Sequence, residues 1–473
     1  MNSLKLCALL WLGGCATAPP PASVDARVAP GWIAPLPHHG SLVDLTSWWQ
    51  QQGDPLLVQL IDAGQTVSPS VASAAARIGQ ARAVQVAATA ALLPALNASA
   101  SGSRNSAQPG IPLSTTVQGA LQASWEIDLF GARSFAQDSA RARLEGAQAG
   151  WHDARVSVAA DIANQYFGLR ACQQLLVITR ADATSRADTA RLSQLSADAG
   201  FTAPATAALA RASAADASGR VTQQQAQCDI GIKTLVALTA IAEPDLRQQL
   251  GQAAPSSLTM PVAVTSLPAA TLRQRPDVFT AEREVAAASA AVGTAQAQRF
   301  PRLTLGGSVG AGAFRAAGVT TDAPTWAIGP LALSLPLFDA GTRVANIDAA
   351  RASYDEAVAL YRARVRQAVR EVEEALVNLD SSARRNDDAE RAVDGYRVSF
   401  DGTESRYRSG LTSLVELEDA RRLRLAAELN QVTLQQQRNT AWIALYRAAG
   451  GGWRAPDPTT VTPDSTDTPK DPT

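Results

Sequence analysis

Two periodicities divide this chain. Before Gly410, apolar residues recur at Ile347, Tyr354, Val358, Tyr361, Val365, Val369, Val372, Leu376 and Leu379, in steps that are nearly all three or four. That spacing is one face of a helix seated against other helices. After Gly410 a second face carries Leu414, Leu417, Leu425, Leu429, Val432, Ile443 and Tyr446. Globular helices average about 11–12 residues, whereas the arm before Gly410 would be on the order of 100 Å long at ~1.5 Å per residue. The pattern predicts a helical hairpin that spans a distance.

The other period is two. From Val117 the odd positions are Val117, Gly119, Leu121, Ala123, Trp125, Ile127 and Leu129, and the even ones are Gln118, Ala120, Gln122, Ser124, Glu126 and Asp128. A strand with one apolar and one polar face alternates in this way. Leu96 to Arg104 pairs with it across a loop from Asn105 to Leu113. In the second half, Leu303 to Ala313 and Leu331 to Leu337 show the same alternation.

The elements are written twice. Ser68-Pro69-Ser70-Val71 recurs as Arg275-Pro276-Asp277-Val278, and Leu93-Pro94-Ala95-Leu96 as Phe300-Pro301-Arg302-Leu303, both 207 residues later. Asp128-Leu129-Phe130-Gly131 recurs as Pro336-Leu337-Phe338-Asp339 after 208, and the turn at Gly200 as that at Gly410 after 210. Self-similarity of this kind marks a duplicated unit. The expected order is a signal segment (1–14), an extended tether (15–40), a first repeat (41–242), a connector (243–268), a second repeat (269–452) and a disordered tail (453–473) rich in proline, threonine and aspartate. Each repeat is helix, two strands, long helix, turn, helix.

Alternating strands of about ten residues suit a lipid-facing barrel, apolar outside and polar within; a soluble sandwich is the other solution. Four strands cannot close a barrel, and an open edge in lipid leaves backbone groups without partners. Several chains must then contribute, and three would give twelve strands, wide enough for a water-filled lumen. The pattern requires an oligomer without fixing its number.

Composition removes other classes. The formal net charge is −1, so no basic excess attracts nucleic acid. Only 5% of residues are aromatic, which fits alanine-rich helical packing better than a large mixed core. Lys5 and the apolar Leu6 to Leu12 read as an export signal. Leu12-Gly13-Gly14-Cys15 then resembles a bacterial lipobox, which would place lipid on Cys15, and the tether Ala16 to Pro37 is expected to be extended and unpacked. Of the remaining cysteines, Cys172 lies 28 residues before Gly200 and Cys228 lies 28 after it. A chain folding back at Gly200 brings them to one height, predicting a Cys172–Cys228 disulfide in an oxidising compartment; helices rotated apart would leave two buried thiols instead.

Trp48-Trp49 with Asp54-Pro55-Leu56, Leu267-Pro268 with Leu272-Arg273-Gln274-Arg275-Pro276-Asp277-Val278, Leu337-Phe338-Asp339-Ala340-Gly341, and Tyr407-Arg408-Ser409-Gly410-Leu411-Thr412-Ser413 together resemble the outer membrane factors. These are TolC-like lipoprotein channels of tripartite efflux systems, here of the NodT type. The resemblance implies an α+β chain and a homotrimer with a twelve-strand β-barrel continuous with a long periplasmic α-helical barrel. It further implies a periplasmic adaptor, an inner-membrane pump and contact with outer-membrane lipids, and it brings no cofactor beyond lipid on Cys15. The family's gate at the helical tips maps onto Tyr407, Glu416 and Asp419. Glu416 and Asp419 are three apart on one helical face, and in a trimer each would form a ring of carboxylates that favours cations; an ordinary solvated helix face is the alternative. Glu418 is expected to point elsewhere. Thr206 stands where some members carry a gating aspartate, so a latch through an acid there is absent.

Catalysis finds no support. Gly306-Gly307-Ser308-Val309-Gly310 matches a nucleophile-elbow spacing but lies inside an alternating strand, and that motif needs a strand-to-helix turn with partners. The expected function is a passive export duct for drugs or other toxic small molecules. An exit duct for secreted protein and a non-pore structural lipoprotein spanning the envelope are the other readings.

Overall fold

The computed structural model describes residues 17–26, 32–33, 48–106, 113–252, 272, 275–453 and 455. The expected signal segment, Cys15, most of the connector and nearly all of the tail lie outside these residues.

The duplication is visible element by element. After α1 (Trp48–Gln51) and α2 (Pro55–Val67), the first repeat runs α3 (Pro69–Ala90), β1 (Ala95–Asn105), β2 (Ser114–Ile127), α4 (Ala132–Asp198) and α5 (Pro204–Thr239). A short α6 (Glu243–Gln252) precedes the second repeat: α7 (Pro276–Ala297), β3 (Arg302–Ala316), β4 (Val319–Ser334), α8 (Thr342–Arg408) and α9 (Leu414–Ala448). Helices α3 and α7 both have 22 residues, and α4 and α8 both have 67. Proline opens α3, α5 and α7 at positions whose N–H would have no intrahelical partner.

The described residues form two compact units. One holds 17–26, 74–106, 113–150 and 279–364, including the whole sheet; the other holds 32–33, 48–73, 151–252, 272, 275–278, 365–453 and 455, so α4 and α8 each contribute to both. The core of the second unit is Trp48, Leu57, Leu60, Ile162, Tyr166, Leu376 and Ile443, all at most 1% exposed. Trp48 stacks on Tyr446 at 4.9 Å. Tyr166 donates to Asp54, which caps α2 by accepting from the Leu57 amide. Arg275 donates to the Ala448 carbonyl while pairing with Asp277 and Glu371, so the start of α7 is tied to the end of α9.

The sheet is antiparallel throughout, in the order β1-β2-β3-β4. The hairpins of the two repeats therefore lie side by side through β2 and β3. Register aligns the two faces across all four strands. Ala98, Leu121, Val309 and Trp326 share one row, and Ser99, Ala120, Gly310 and Thr325 the next. Ala317 and Gly318 join β3 to β4 with φ of 52° and 84°, the two left-handed positions of a tight hairpin turn.

The fourth strand departs from the expected Leu331–Leu337. It begins at Val319 and ends at Ser334. Gly329 and Pro330 oppose the single Gly306, and this bulge shifts side-chain parity by one. Trp326 and Ile328 at even positions thus share a face with Leu331 and Leu333 at odd ones, which hides the strand from a period-two search. The tether also differs: extended, it is nevertheless packed. Ser289 donates to the Pro20 carbonyl and Tyr354 to that of Pro21 (2.9 Å), and Val24 packs with Val285, Ala288 and Ala357. A run rich in proline offers carbonyls without competing N–H groups, so helix-borne hydroxyls can hold it.

Gly310 tests the register. A Cβ there would lie 2.4 Å from the Gly119 carbonyl oxygen, whereas one at Gly307 would meet nothing nearer than 3.4 Å. Gly310→Ala is expected to destabilise the sheet by about 1–3 kcal/mol and Gly307→Ala far less. Thermal loss of strand circular dichroism checks both.

Candidate functional site

The tips of the two hairpins use one turn. Gly200 and Gly410 have φ of 77° and 72°, and the following amides reach back five residues, Phe201 to Ser196 and Leu411 to Arg406. This helix ending needs a left-handed residue, which glycine supplies without strain. The tips then diverge. In the second, Ser413 caps α9 by accepting from the Glu416 amide at 3.2 Å, and Glu416 in turn accepts from the Thr412 hydroxyl. Ser413-Leu414-Val415-Glu416 has the spacing of a capping box. In the first, Ala203 provides no side-chain cap for α5, and the amide of half-buried Thr206 bonds the Ala203 carbonyl.

The three sequence-predicted gate residues do not form one cluster. Tyr407 is half-buried, its hydroxyl 3.0 Å from Ser193 of α4, and it packs on Ala190, Ala210, Phe400, Leu414 and Leu417. Glu416 and Asp419 are exposed on α9. Among the described residues Asp419 pairs only with Arg422, at 3.1 Å on the surface.

The strongest electrostatics at this end surround Glu418, the residue expected to be uninvolved. Its carboxylate accepts from Arg186 of α4, from Arg421, and from Ser213 of α5 at 3.0 Å. Arg186 also pairs with buried Asp182 at 2.9 Å. Arg421 is fully buried, donates to Ser185 (3.1 Å) and Thr189 (3.0 Å), and lies over the Phe400 ring of α8. Burial pulls the Arg421 guanidinium below its ordinary value and the Glu418 carboxylate opposes this. Four helices are thereby joined through charge. Two acids, Asp182 and Glu418, face Arg186 and Arg421 in a largely buried site, with the half-exposed Arg220 of α5 also 3.5 Å from Asp182, and a lone buried member would be costly. A signal existed in the sequence: Glu418 and Arg421 are spaced as an i,i+3 pair on the face of Leu414 and Leu417.

Farther along the first hairpin, Cys172 and Cys228 are joined as a disulfide, with Cα atoms 5.6 Å apart. Ser308 of the esterase-like spacing sits mid-strand in β3, next to Gln122.

The family profile of the outer membrane efflux proteins matches residues 60–240 and 267–451, one copy for each repeat. The chain belongs to the outer membrane efflux protein family. It is similar to the pyoverdine export outer membrane protein OpmQ of Pseudomonas putida, with 30% identity over 95% of this chain and 97% of that one. Nodulation protein T of Rhizobium leguminosarum bv. trifolii is 29% identical over 94% of this chain and 96% of its own length. The solved outer-membrane channel OprN superposes with a TM-score of 0.83 at 28% identity, covering 93% of this chain and all of that one. The fold is TolC-like, and the family comprises channels of efflux pumps rather than enzymes. This efflux protein therefore resides in the outer membrane and extends into the periplasm.

Removing Glu418 would leave Arg186 and Arg421 buried without their shared counter-ion. Glu418→Ala is expected to cost about 3–5 kcal/mol, while Asp419→Ala costs at most about 1 kcal/mol, as exposed pairs do. Thermal unfolding of the helical signal, with amide exchange in α8 and α9, checks the contrast.

Proposed function

We propose that three copies of this chain form the passive exit duct of a tripartite efflux pump, with a periplasmic adaptor and an energy-supplying inner-membrane pump as partners. The observation that carries the trimer is the sheet. One face is apolar and one polar, and the outer edges of β1 and β4 have no strand partner among the described residues. From Val117 to Ile127 the apolar face spans ten steps, about 33 Å along the strand, which a tilt of ~40° reduces to the ~25 Å of an outer-membrane barrel. Edge pairing between copies satisfies β1 and β4, and twelve strands enclose water rather than side chains. Small molecules such as drugs or other toxic compounds are the proposed cargo; export of pyoverdine by a relative supports this class.

The finer assignments follow from the same frame. Lipid on Cys15 is supported by the lipobox-like Leu12-Gly13-Gly14-Cys15 and by Thr17, whose hydroxyl donates to the Phe130 carbonyl three residues beyond β2. The proposed boundaries are those of the two repeats, 41–242 and 269–452, with the connector 243–268 between them. The Cys172–Cys228 bridge fastens α4 to α5 in the periplasm. Tyr407 anchors the tip of α8 to α4, and Glu416 and Asp419 supply acid rings at the pore entrance.

Two experiments test these readings. Planar bilayers containing the purified protein are expected to show cation-preferring channels. Glu416→Ala with Asp419→Ala should move the cation-to-anion permeability ratio toward one, and no conductance under any condition would end the duct reading. Mass spectrometry of the mature N-terminus is expected to find Cys15 first and acylated; an unmodified start elsewhere would remove the anchor.

A further inference from the structure

The level at which the sheet enters water is marked by aromatics. Phe130 and Phe300 stack at 4.8 Å just outside β2 and β3, Phe338 is 90% exposed, and Trp125 on the apolar face donates to the Leu92 carbonyl. Aromatic girdles occupy the headgroup level of membrane barrels. At this level a cleft of about 260 Å³ opens between the end of α7 and the first turns of α8. Its walls include Phe300 and Ile347, its charged groups are Arg299, Arg351 and Asp348, and Thr17 of the tether closes one side. Arg299 makes no side-chain hydrogen bond or ion pair among the described residues. Arg351 has only Asp348, at 4.0 Å. Two guanidiniums against one weakly engaged carboxylate leave a positive site beside apolar walls, unlike Arg343 nearby, which is saturated by Asp339 and the Gln298 carbonyl.

We propose that this cleft holds the headgroup of an anionic phospholipid of the periplasmic leaflet. The phosphate lies between Arg299 and Arg351, and the first acyl carbons follow Phe300 toward the apolar face. Planar guanidiniums suit phosphate oxygens geometrically, and basic pockets at the edge of a membrane segment recognise charged headgroups. The site depends on the outer-membrane location of the family and not on lipidation of Cys15 or on the number of chains in the channel. A lipid bound here would tie the start of α8 to the leaflet.

The test is native mass spectrometry of the full-length, detergent-purified protein titrated with phosphatidylglycerol, phosphatidylcholine or inorganic phosphate. Phosphatidylglycerol is expected to bind, phosphatidylcholine at least about tenfold more weakly, and millimolar phosphate not to compete. Arg299→Gln with Arg351→Gln should weaken phosphatidylglycerol binding about tenfold, the loss expected from one strong charge-assisted contact, with circular dichroism and oligomer mass unchanged. Arg315→Gln, at the far end of β3, removes charge outside the cleft and should have no effect. Equal binding by the double variant, equal loss in Arg315→Gln, indifference to headgroup charge, or competition by free phosphate would each overturn the proposal.

Discussion

A peptide group in hydrocarbon has no water to bond, and each unpaired one costs several kcal/mol. This constraint governs the sheet and, through it, the rest of the chain. β2 and β3 are paired on both sides, whereas among the described residues β1 and β4 each have a strand partner on one side only. A single chain therefore cannot present this sheet to lipid. Prolines at 324 and 330 both fall on β4, and the second lies in the bulge opposite Gly306, where no regular ladder bond is required of it.

The helices obey a different rule. Their backbone is satisfied internally, so their packing depends on side chains, and among the described residues no helix is long and apolar enough to cross a membrane. Alanine and glycine allow close approach; a Cβ at Gly293 would lie 2.8–2.9 Å from the ring of Phe135, and one at Gly64 would be 2.1 Å from Ile162. Near the second tip charge joins apolar contact, with Arg421 and Glu418 lying one turn beyond the buried Leu414 and Leu417. Such pairs contribute less net stability than hydrophobic packing, but removing one partner is costly. They therefore favour one relative placement of α4, α5, α8 and α9. The two tips are also unequal: α9 is capped by the Ser413 side chain, whereas α5 begins with proline and no side-chain cap. The duplication kept the turn and let its chemistry diverge.

Much of this was legible from local pattern. Periods of 3.6 and 2 located the long helices and three strands, the offset of 207–210 residues exposed the repeat, and equal distances from Gly200 placed Cys172 opposite Cys228. The motifs around Trp48, Arg275 and Tyr407 pointed to the family. Legibility failed where one residue changed parity, as in β4, and where a contact joined residues far apart in sequence. Glu418 meets Arg186 across 232 positions, and no periodicity on α9 reveals which helix faces it.

Apart from the bounds of β4, the sequence by itself determined element type, approximate length and duplication, because these follow from steric and hydrophobic periodicity within a few turns. Tertiary structure alone decided the pairing of β2 with β3, the packing of residues 17–26 along the helices, and the division of labour at the second tip. There Tyr407 turns inward to α4, Glu416 stays exposed and accepts from the Thr412 hydroxyl, and Glu418 enters the buried network. The physical reason is that a side chain's role depends on its rotation toward a neighbour, and that rotation is fixed only when the neighbouring helix is in place.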